Sequence, residues 1–411
     1  MKENLIVIND NKFKSIFISV NFIRKLSKEE NHKNALLASI LRKGTSKLNS
    51  EEKIDLKLAE LYASGIDTNV EKVGGFYNVE FGAEFINKKF INEDVSNDVL
   101  SILHDVIYSP YLENGAFGSK IFDTEKKALV ERINQEKNDK RKWSLKRLES
   151  EMYNENDYGF SVYGDIDSIE KETNKSIFEY YKEFLKTSQI RIVITGNLDG
   201  YEDLEQKMEE LFLKDENVKI NELEIKNRNE FRNVEEYEPL NQSVLCMGLN
   251  VKNTDIDMIP VVTVYNSILG GTPASKLFQN VREKESLAYF AKSQYNRYIN
   301  GIYIYSGINL SNVEKAKKVI NEQLKDLKEG NITEEEIDTA KKNIILTYKA
   351  IRDNKVLYNR LVLANSIKYN KLLDLDDFIN KINNVEISDV VKVAQDIDVN
   401  TVYLLGGKID E

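Results

Sequence analysis

Histidine and cysteine are almost missing from this chain: among 411 residues there are two of the first and one of the second. His32 and His104 are too far apart for a two-histidine metal motif or a catalytic triad of local spacing. The sequence places His32 in a charged loop and His104 in a helix over Asn97–Tyr108, both in structural or solvated roles. Cys246 has no second thiol for an intrachain disulfide, and its setting in the apolar stretch SVLCMGL reads as a strand with a buried structural thiol. No apolar run approaches the ~18 residues that span a bilayer, and MKENLIVINDNKFKS lacks the apolar core of a leader, so no membrane association and a cytoplasmic location are expected.

Positive charge is also in deficit. A formal net charge of -10 and a pI near 5.2 repel a phosphate backbone, so nucleic acid is not an expected partner. The most basic run, KNDKRK from Lys137 to Lys142, reads as the solvated end of a helix, where cations suit the macrodipole. Gly270-Gly271-Thr272-Pro273 lacks the GxxxxGK[ST] pattern of a phosphate loop and reads as a helix-entry turn.

What remains is an ordinary globular composition, 41% hydrophobic and 31% charged, in a chain long enough for two to four domains at ~100–200 residues each. Ser15–Phe22 alternates as a half-buried strand, and Lys33–Arg42 puts Leu36, Leu37, Ile40 and Leu41 on one helical stripe before Gly44. Ile54–Ser64 and Asn97–Tyr108 are further helices, Gly74–Phe85 is a strand, and Asp123 suits the N-cap of the next helix. QIRIVITG from Gln189 closes the first half as a β-branched strand. The polar stretch 214–240, ending after Pro239, reads as a linker.

The second half repeats the order. SVLCMGLN answers the opening strand, Ile259–Leu269 the first helix, and TVYLLGGKID the closing strand QIRIVITGNLD. Ser311-x-x-Glu314 and Thr333-x-x-Glu336 are capping-box patterns for two helices. A repeat at a period of roughly 200 residues predicts two homologous α+β domains rather than a solenoid. The expected boundaries are 1–213 and 241–411 around the linker 214–240, each domain a mainly antiparallel sheet with helices on one face.

The stretch with the most chemistry is SKLFQNVREKESLAY, Ser275–Tyr289. Leu277, Phe278 and Val281 recur at helical spacing and LAYFAKSQY suits a strand, so Arg282 closes a helix and Tyr289 opens a strand. A guanidinium and a phenol flanking such a corner are able to converge on one carbonyl or developing oxyanion. Taken alone, a surface Arg pairing with Glu283 or Glu285 and a half-buried Tyr explain the same residues.

This stretch resembles the C-terminal signature of the inverzincin peptidases, the insulinase, pitrilysin and mitochondrial processing peptidase family. There an Arg and a Tyr seven residues later contact the scissile region of a bound peptide, as Arg282 and Tyr289 are spaced here. ILRKGT and LAELYASGIDTNVEKVGGFYNVEF are similar to the family as well, so the resemblance spans nearly the whole chain. It implies two family domains forming half of a clamshell; the Gly270-Gly271 turn has contact with a substrate backbone as its second reading.

The same resemblance marks a loss. The HxxEH zinc helix of the family corresponds to Ala35, Ala38 and Ser39, and the third zinc ligand, a Glu seven residues after an earlier Glu, corresponds to Arg132 after Glu125. Methyl groups and one hydroxyl do not ligate zinc, and a cation opposes it. Glu131 points roughly 100° around the helix from Arg132. With Glu125 and Glu136 it is interleaved with Lys126, Lys127 and Lys137, the pattern of ordinary i,i+4 pairing.

The resemblance therefore implies the non-zinc, Arg/Tyr-bearing subunit of a heterodimeric bacterial metallopeptidase, inactive alone. No cofactor is expected in this chain and zinc is expected in a partner, an HxxEH relative; a homodimer is the alternative assembly. A second reading is a non-catalytic peptide- or protein-binding scaffold whose sheet carries Tyr295, Tyr298, Tyr303 and Tyr305. A third is an independent metallopeptidase with an altered site.

Overall fold

A computed structural model describes residues 4–153, 156–213, 218–226, 230–252 and 255–407. The chain forms two compact units. The first comprises Met1–Asn134, Phe160–Glu224 and Arg352–Leu372, and the second Gln135–Gly159, Ile225–Ile351 and Leu373–Glu411.

The first unit is built on β1 (Leu5–Asn9), β2 (Ser15–Lys25), β3 (Gly65–Val73), β4 (Phe76–Ile86) and, after a two-strand ribbon of β5 (Leu112–Glu113) and β6 (Ala116–Phe117), β7 (Gln189–Gly196). The sheet order is β1-β7-β2-β4-β3, with β1 parallel to β7 and the other pairs antiparallel. Alternation along β2 sends Ile16, Ile18, Val20 and Phe22 into a core. Phe22 meets Phe184 of the helix Asn174–Thr187 at a centroid distance of 5.0 Å and Phe81 of β4 at 5.7 Å. Burying one such ring contributes about 1.5–3 kcal/mol.

The other face of this sheet is polar. Ser19 and Asn21 of β2 lie under the helix Lys355–Tyr369, where Ser19 Oγ donates to Asn359 Oδ1 at 2.8 Å and Asn359 Nδ2 donates to the Val193 carbonyl at 3.0 Å. Beside them Arg360 grips Glu80 of β4, Nε reaching both carboxylate oxygens at 3.1 Å. Glu80 is only 2% exposed, so this pairing is what makes its burial tolerable.

The second unit repeats the topology strand for strand. β8 (Arg232–Glu238), β9 (Ser243–Val251), β10 (Ala288–Asn296), β11 (Gly301–Ile308) and β12 (Ile397–Gly407) take the order β10-β11-β9-β12-β8. Again one edge pair, β8 and β12, is parallel and the rest antiparallel. The fold is thus two α+β layers of mainly antiparallel sheet, as the doubled sequence order implies. β8 lies within the polar 214–240 stretch; its burial alternates only between half-buried and exposed, so hydrophobicity does not announce it.

Each unit also takes a helix from the opposite half of the sequence. Lys355–Tyr369 belongs to the first unit and Lys140–Met152 to the second. The latter packs closely on its sheet: a Cβ at Gly248 of β9 would stand 2.1 Å from Met152 Sδ.

Several local expectations need correction. The first helix runs Lys28–Leu41 with Ser27 capping the Glu29 amide, so His32 lies in a helix and not in a loop. The helix expected to start at Asp123 spans Ser119–Asn138. KNDKRK does not end a helix as a unit: Asp139 caps the Lys142 amide at 3.1 Å and a new helix starts at Lys140. The Thr333-x-x-Glu336 box forms, with reciprocal bonds of 2.8 and 3.1 Å. The Ser311 box does not, because a tight turn over Leu310–Asn312 puts Asn312 before the helix Val313–Glu329.

Candidate functional site

The helix Lys28–Leu41 carries Ala35 and Ala38, each 3% exposed. Ser39 turns its hydroxyl back to the Ala35 carbonyl at 3.2 Å, the usual satisfaction of a helical serine. On the helix Ser119–Asn138, the Arg132 guanidinium lies 5.4 Å over the Tyr163 ring. Glu125 is 3.6 Å from Lys43, and burial, against the pull of Lys43, raises its carboxyl above the usual value. Glu131 pairs with Lys127 at 3.9 Å on the surface. Two packed methyls, a self-satisfied hydroxyl and a guanidinium do not fit zinc. Among the described residues no group of three or more His, Cys, Asp and Glu is placed to hold a metal.

The histidines are accounted for locally. His32 is 4% exposed and its Nε2 meets Glu172 Oε1 at 3.0 Å. Although burial works against it, hydrogen bonds from His32 and Ser176 hold the Glu172 carboxyl below its ordinary value. His104 stacks near Tyr108 at 4.9 Å and Phe212 at 5.9 Å, and desolvation lowers its pKa. Sequence reading missed the His32–Glu172 pair because its partners are 140 residues apart. Cys246 is buried in β9 and burial pushes its thiol up, which makes it an inert group.

Arg282 and Tyr289 lie in the second unit on a corner of unusual build. Residues Phe278–Lys284 form a π-helical turn in which the Glu285 amide reaches the Asn280 carbonyl at 3.2 Å. Ser286, at φ +50°, then reverses the chain in the left-handed region, and the Leu287 amide returns to the Val281 carbonyl at 3.0 Å. Arg282 and Tyr289 therefore flank a clasped loop. Widened helical turns of this type cluster at functional sites.

The Arg282 side chain is 42% exposed, 3.5 Å from Glu283. Its guanidinium carbon sits 4.5 Å over the Phe278 ring. Glu285 is taken instead by Lys315 at 2.8 Å, whose hydrogen bond holds that carboxyl below its ordinary value.

Tyr289 is 66% exposed for a reason legible in the register. Ala288 faces Ile308 and Phe290 faces Gly307, so two steps of β10 match one of β11 and Tyr289 is the extra residue of a bulge. Strict alternation from Ala291 and Ser293, both buried, would have placed position 289 on the core face. The bulge turns the phenol outward, the re-aiming for which such irregularities are retained.

The two glycines differ. At Gly270 a Cβ would stand 2.4 Å from the Ser293 amide nitrogen and 2.9 Å from Leu277 Cδ1, so the absence of a side chain lets the π-helical turn Ser267–Gly271 press onto β10. At Gly271 the nearest atom, the Asn266 carbonyl oxygen, is 3.4 Å away and the residue is exposed. Chemically the corner offers two exposed hydrogen-bond donors, the Arg282 guanidinium and the Tyr289 phenol.

A duplicated two-sheet α+β architecture, with alanine, serine and arginine at the positions that the sequence resemblance assigns to zinc ligands, defines a class: a peptidase-like protein. Residues 171–344 match the family model described as the peptidase M16 inactive domain. The chain is 29% identical over 412 residues to the "probable inactive metalloprotease YmfF" of Bacillus subtilis, covering 98% of this chain and 95% of that one. Its fold matches a conserved protein of Enterococcus faecalis V583 with a TM-score of 0.91 at 26% identity, covering 100% and 99% of the two chains. It also matches a peptidase M16 inactive domain of Pseudomonas fluorescens with a TM-score of 0.81 at 16% identity, covering 100% and 98%. The chain is thus similar over nearly its whole length to proteins of the M16 peptidase type, among them a relative named as inactive.

Proposed function

We propose that this chain is the Arg/Tyr-bearing subunit of a paired metallopeptidase, holding a peptide for cleavage by an HxxEH relative that carries the zinc. The observation that supports the reading most is the asymmetry of the two units. The positions that correspond to the family's zinc ligands hold packed methyls at Ala35 and Ala38, while Tyr289 is turned outward by a bulge and the Arg282 side chain is 42% exposed. A residue retained only for packing needs neither feature.

In this role the Arg282 guanidinium and the Tyr289 phenol donate to the peptide carbonyl as charge develops on its oxygen, a contribution of about 3–4 kcal/mol per donor in water-excluded sites. Without a metal or nucleophile the chain is inactive alone. No helix among the described residues is long and apolar enough to cross a membrane, and the proposed setting is the cytoplasm.

The test is to mix the purified chain with an HxxEH relative from the same genome and follow cleavage of a quenched fluorescent peptide. Turnover is expected only in the mixture, and Arg282→Ala or Tyr289→Phe should lower it by at least tenfold. Unchanged turnover with Arg282→Ala sinks the proposal. A peptide-holding scaffold of the same fold is the second reading, favoured by the word "inactive" in the name of the Bacillus subtilis relative. It takes over if the chain binds peptides but no mixture cleaves them.

A further inference from the structure

The helix Val313–Glu329 packs against the corner of Arg282 and Tyr289, and its buried stripe is otherwise built of valine, alanine, isoleucine and leucine. Gln323 interrupts that stripe at 6% exposed. An amide taken out of water costs free energy unless it is hydrogen-bonded, and a leucine there would pack without that cost. The amide is accounted for by what it holds: Gln323 Oε1 accepts from Asn280 Nδ2 at 2.7 Å.

Asn280 lies in the wide turn Phe278–Lys284 and ties it at both ends. Its side-chain amide also donates to the Lys276 carbonyl at 3.0 Å, one turn back, and its own carbonyl accepts from the Glu285 amide at 3.2 Å, five residues on. Turns of this width are rare in helices, so the groups that fix one are informative.

Two further contacts fasten the same stretch. Before the widening, Lys276, only 8% exposed, donates to the Asn331 carbonyl at 2.7 Å and meets Glu336 at 2.8 Å. After it, Glu285 meets Lys315 of the helix Val313–Glu329 at 2.8 Å. In an unbroken α-helix Lys276, Asn280 and Lys284 would share a face. Here the third contact falls to Glu285 instead of Lys284, so the extra residue of the wide turn is absorbed between Asn280 and Glu285. Arg282 lies inside that interval, and its direction depends on the turn staying wide.

We propose that Asn280 and Gln323 are positioning residues for Arg282: the pair holds the wide turn open so that the guanidinium is presented to a peptide carbonyl. The link to cleavage rests on the function proposed above; the placement of Arg282 is tested without it.

The full chain is prepared with isotopically labelled arginine for NMR, with no partner present. The Arg282 Nε–H resonance, which senses the Phe278 ring 4.5 Å away, is assigned by its loss in Arg282→Lys. Gln323→Met is nearly isosteric and removes the acceptor, so it should shift this resonance, as should Asn280→Ala from the other side. Gln323→Glu keeps an oxygen that accepts in either protonation state and should return it. Leu324→Met, a packing change on the same buried stripe, should leave it in place. In the peptidase mixture Gln323→Met should lower kcat by about tenfold with KM within about twofold, and Gln323→Glu should recover most of that loss.

An Arg282 resonance unmoved by Gln323→Met overturns the proposal, as does an equal shift with Leu324→Met or with Gln323→Glu. So does a shifted resonance with unchanged kcat in a mixture that Arg282→Ala impairs. Because the spectrum needs neither partner nor cleavage, a mixture that Arg282→Ala leaves unimpaired removes the proposed function and leaves the placement of Arg282 standing.

Discussion

The Arg282 guanidinium carbon lies 4.5 Å from the centroid of the Phe278 ring, one turn earlier in the same widened helix. The contact sets the side-chain direction of a flexible cation that no buried carboxylate holds, since Glu283 is itself exposed. A cation–π contact at an exposed site is worth about 0.5–1 kcal/mol. Phe278→Leu should therefore reduce turnover of the mixed peptidase by about two- to fivefold, less than Arg282→Ala, while Phe278→Tyr preserves it. Steady-state kinetics on the mixture check this, and no change with Phe278→Leu would mean that Arg282 is oriented by something else.

Gly270 and Gly271 separate packing from substrate contact. Gly270→Ala forces a methyl against the Ser293 backbone and should cost about 1–3 kcal/mol. Gly271→Ala meets nothing nearer than 3.4 Å and should stay within about 0.5 kcal/mol of wild type. Urea denaturation distinguishes the two. If Gly271→Ala lowers peptide affinity at unchanged stability, the exposed glycine, not its buried neighbour, is the one near substrate.

The amphipathic elements were legible because period and burial agree in them. Ile16 to Phe22 and the Thr333 capping box came through from the sequence alone. The doubled order also came through, and the structure extends it to every sheet strand. What escaped depended on distant partners or on rare backbone. β8 is polar and becomes a strand only because β12 is beside it. The exchange of Lys140–Met152 and Lys355–Tyr369 leaves no local mark, since each helix reads the same wherever it docks. At the corner, residue types pointed to Arg282 and Tyr289, but the bulge and Ser286 at φ +50° follow no sequence rule for a non-glycine residue.

Arg360 reaches across about two-thirds of the sequence to Glu80, 280 residues earlier. Arg360→Ala would leave a carboxylate 2% exposed and unpaired, so the first unit should lose about 3 kcal/mol. Glu80→Gln in the Arg360→Ala background should recover part of that loss, because the orphaned charge is gone. Chemical denaturation of the four proteins of the cycle measures it; an additive result would show that the pair is not coupled.

Next to this pair, Glu71 of β3 has its pKa raised by burial despite a hydrogen bond from Asn78 Nδ2 at 3.2 Å. Between the ordinary carboxylate value and that raised value, the folded protein keeps a proton the unfolded chain has released. Stability from Glu71 is full below the ordinary value and falls as pH rises through the folded one. Glu71→Gln removes the penalty of a buried charge, so it should raise Tm at pH 7 and leave it nearly unchanged at pH 4. A gain of equal size at both pH values would assign the effect to packing instead of ionisation.

The positions that the resemblance assigns to zinc ligands allow a constructive experiment. Ala35→His, Ala38→Glu and Ser39→His place two imidazoles and a carboxylate at i, i+4 and i+3 of the helix Lys28–Leu41, and Arg132→Glu exchanges the opposing cation for a third ligand. Because Ala35 and Ala38 are each 3% exposed, the larger side chains should first cost about 1–3 kcal/mol by overpacking. Zinc should then restore stability, since a metal bound only by the folded state raises Tm. Elemental analysis after dialysis should find near-stoichiometric zinc in the fourfold variant and much less when Arg132 is left in place, where its charge opposes the ion. Should the fourfold variant fold but gain neither zinc nor stability, the two helices do not hold these positions at zinc-ligand spacing, and the assignment of the four positions is wrong.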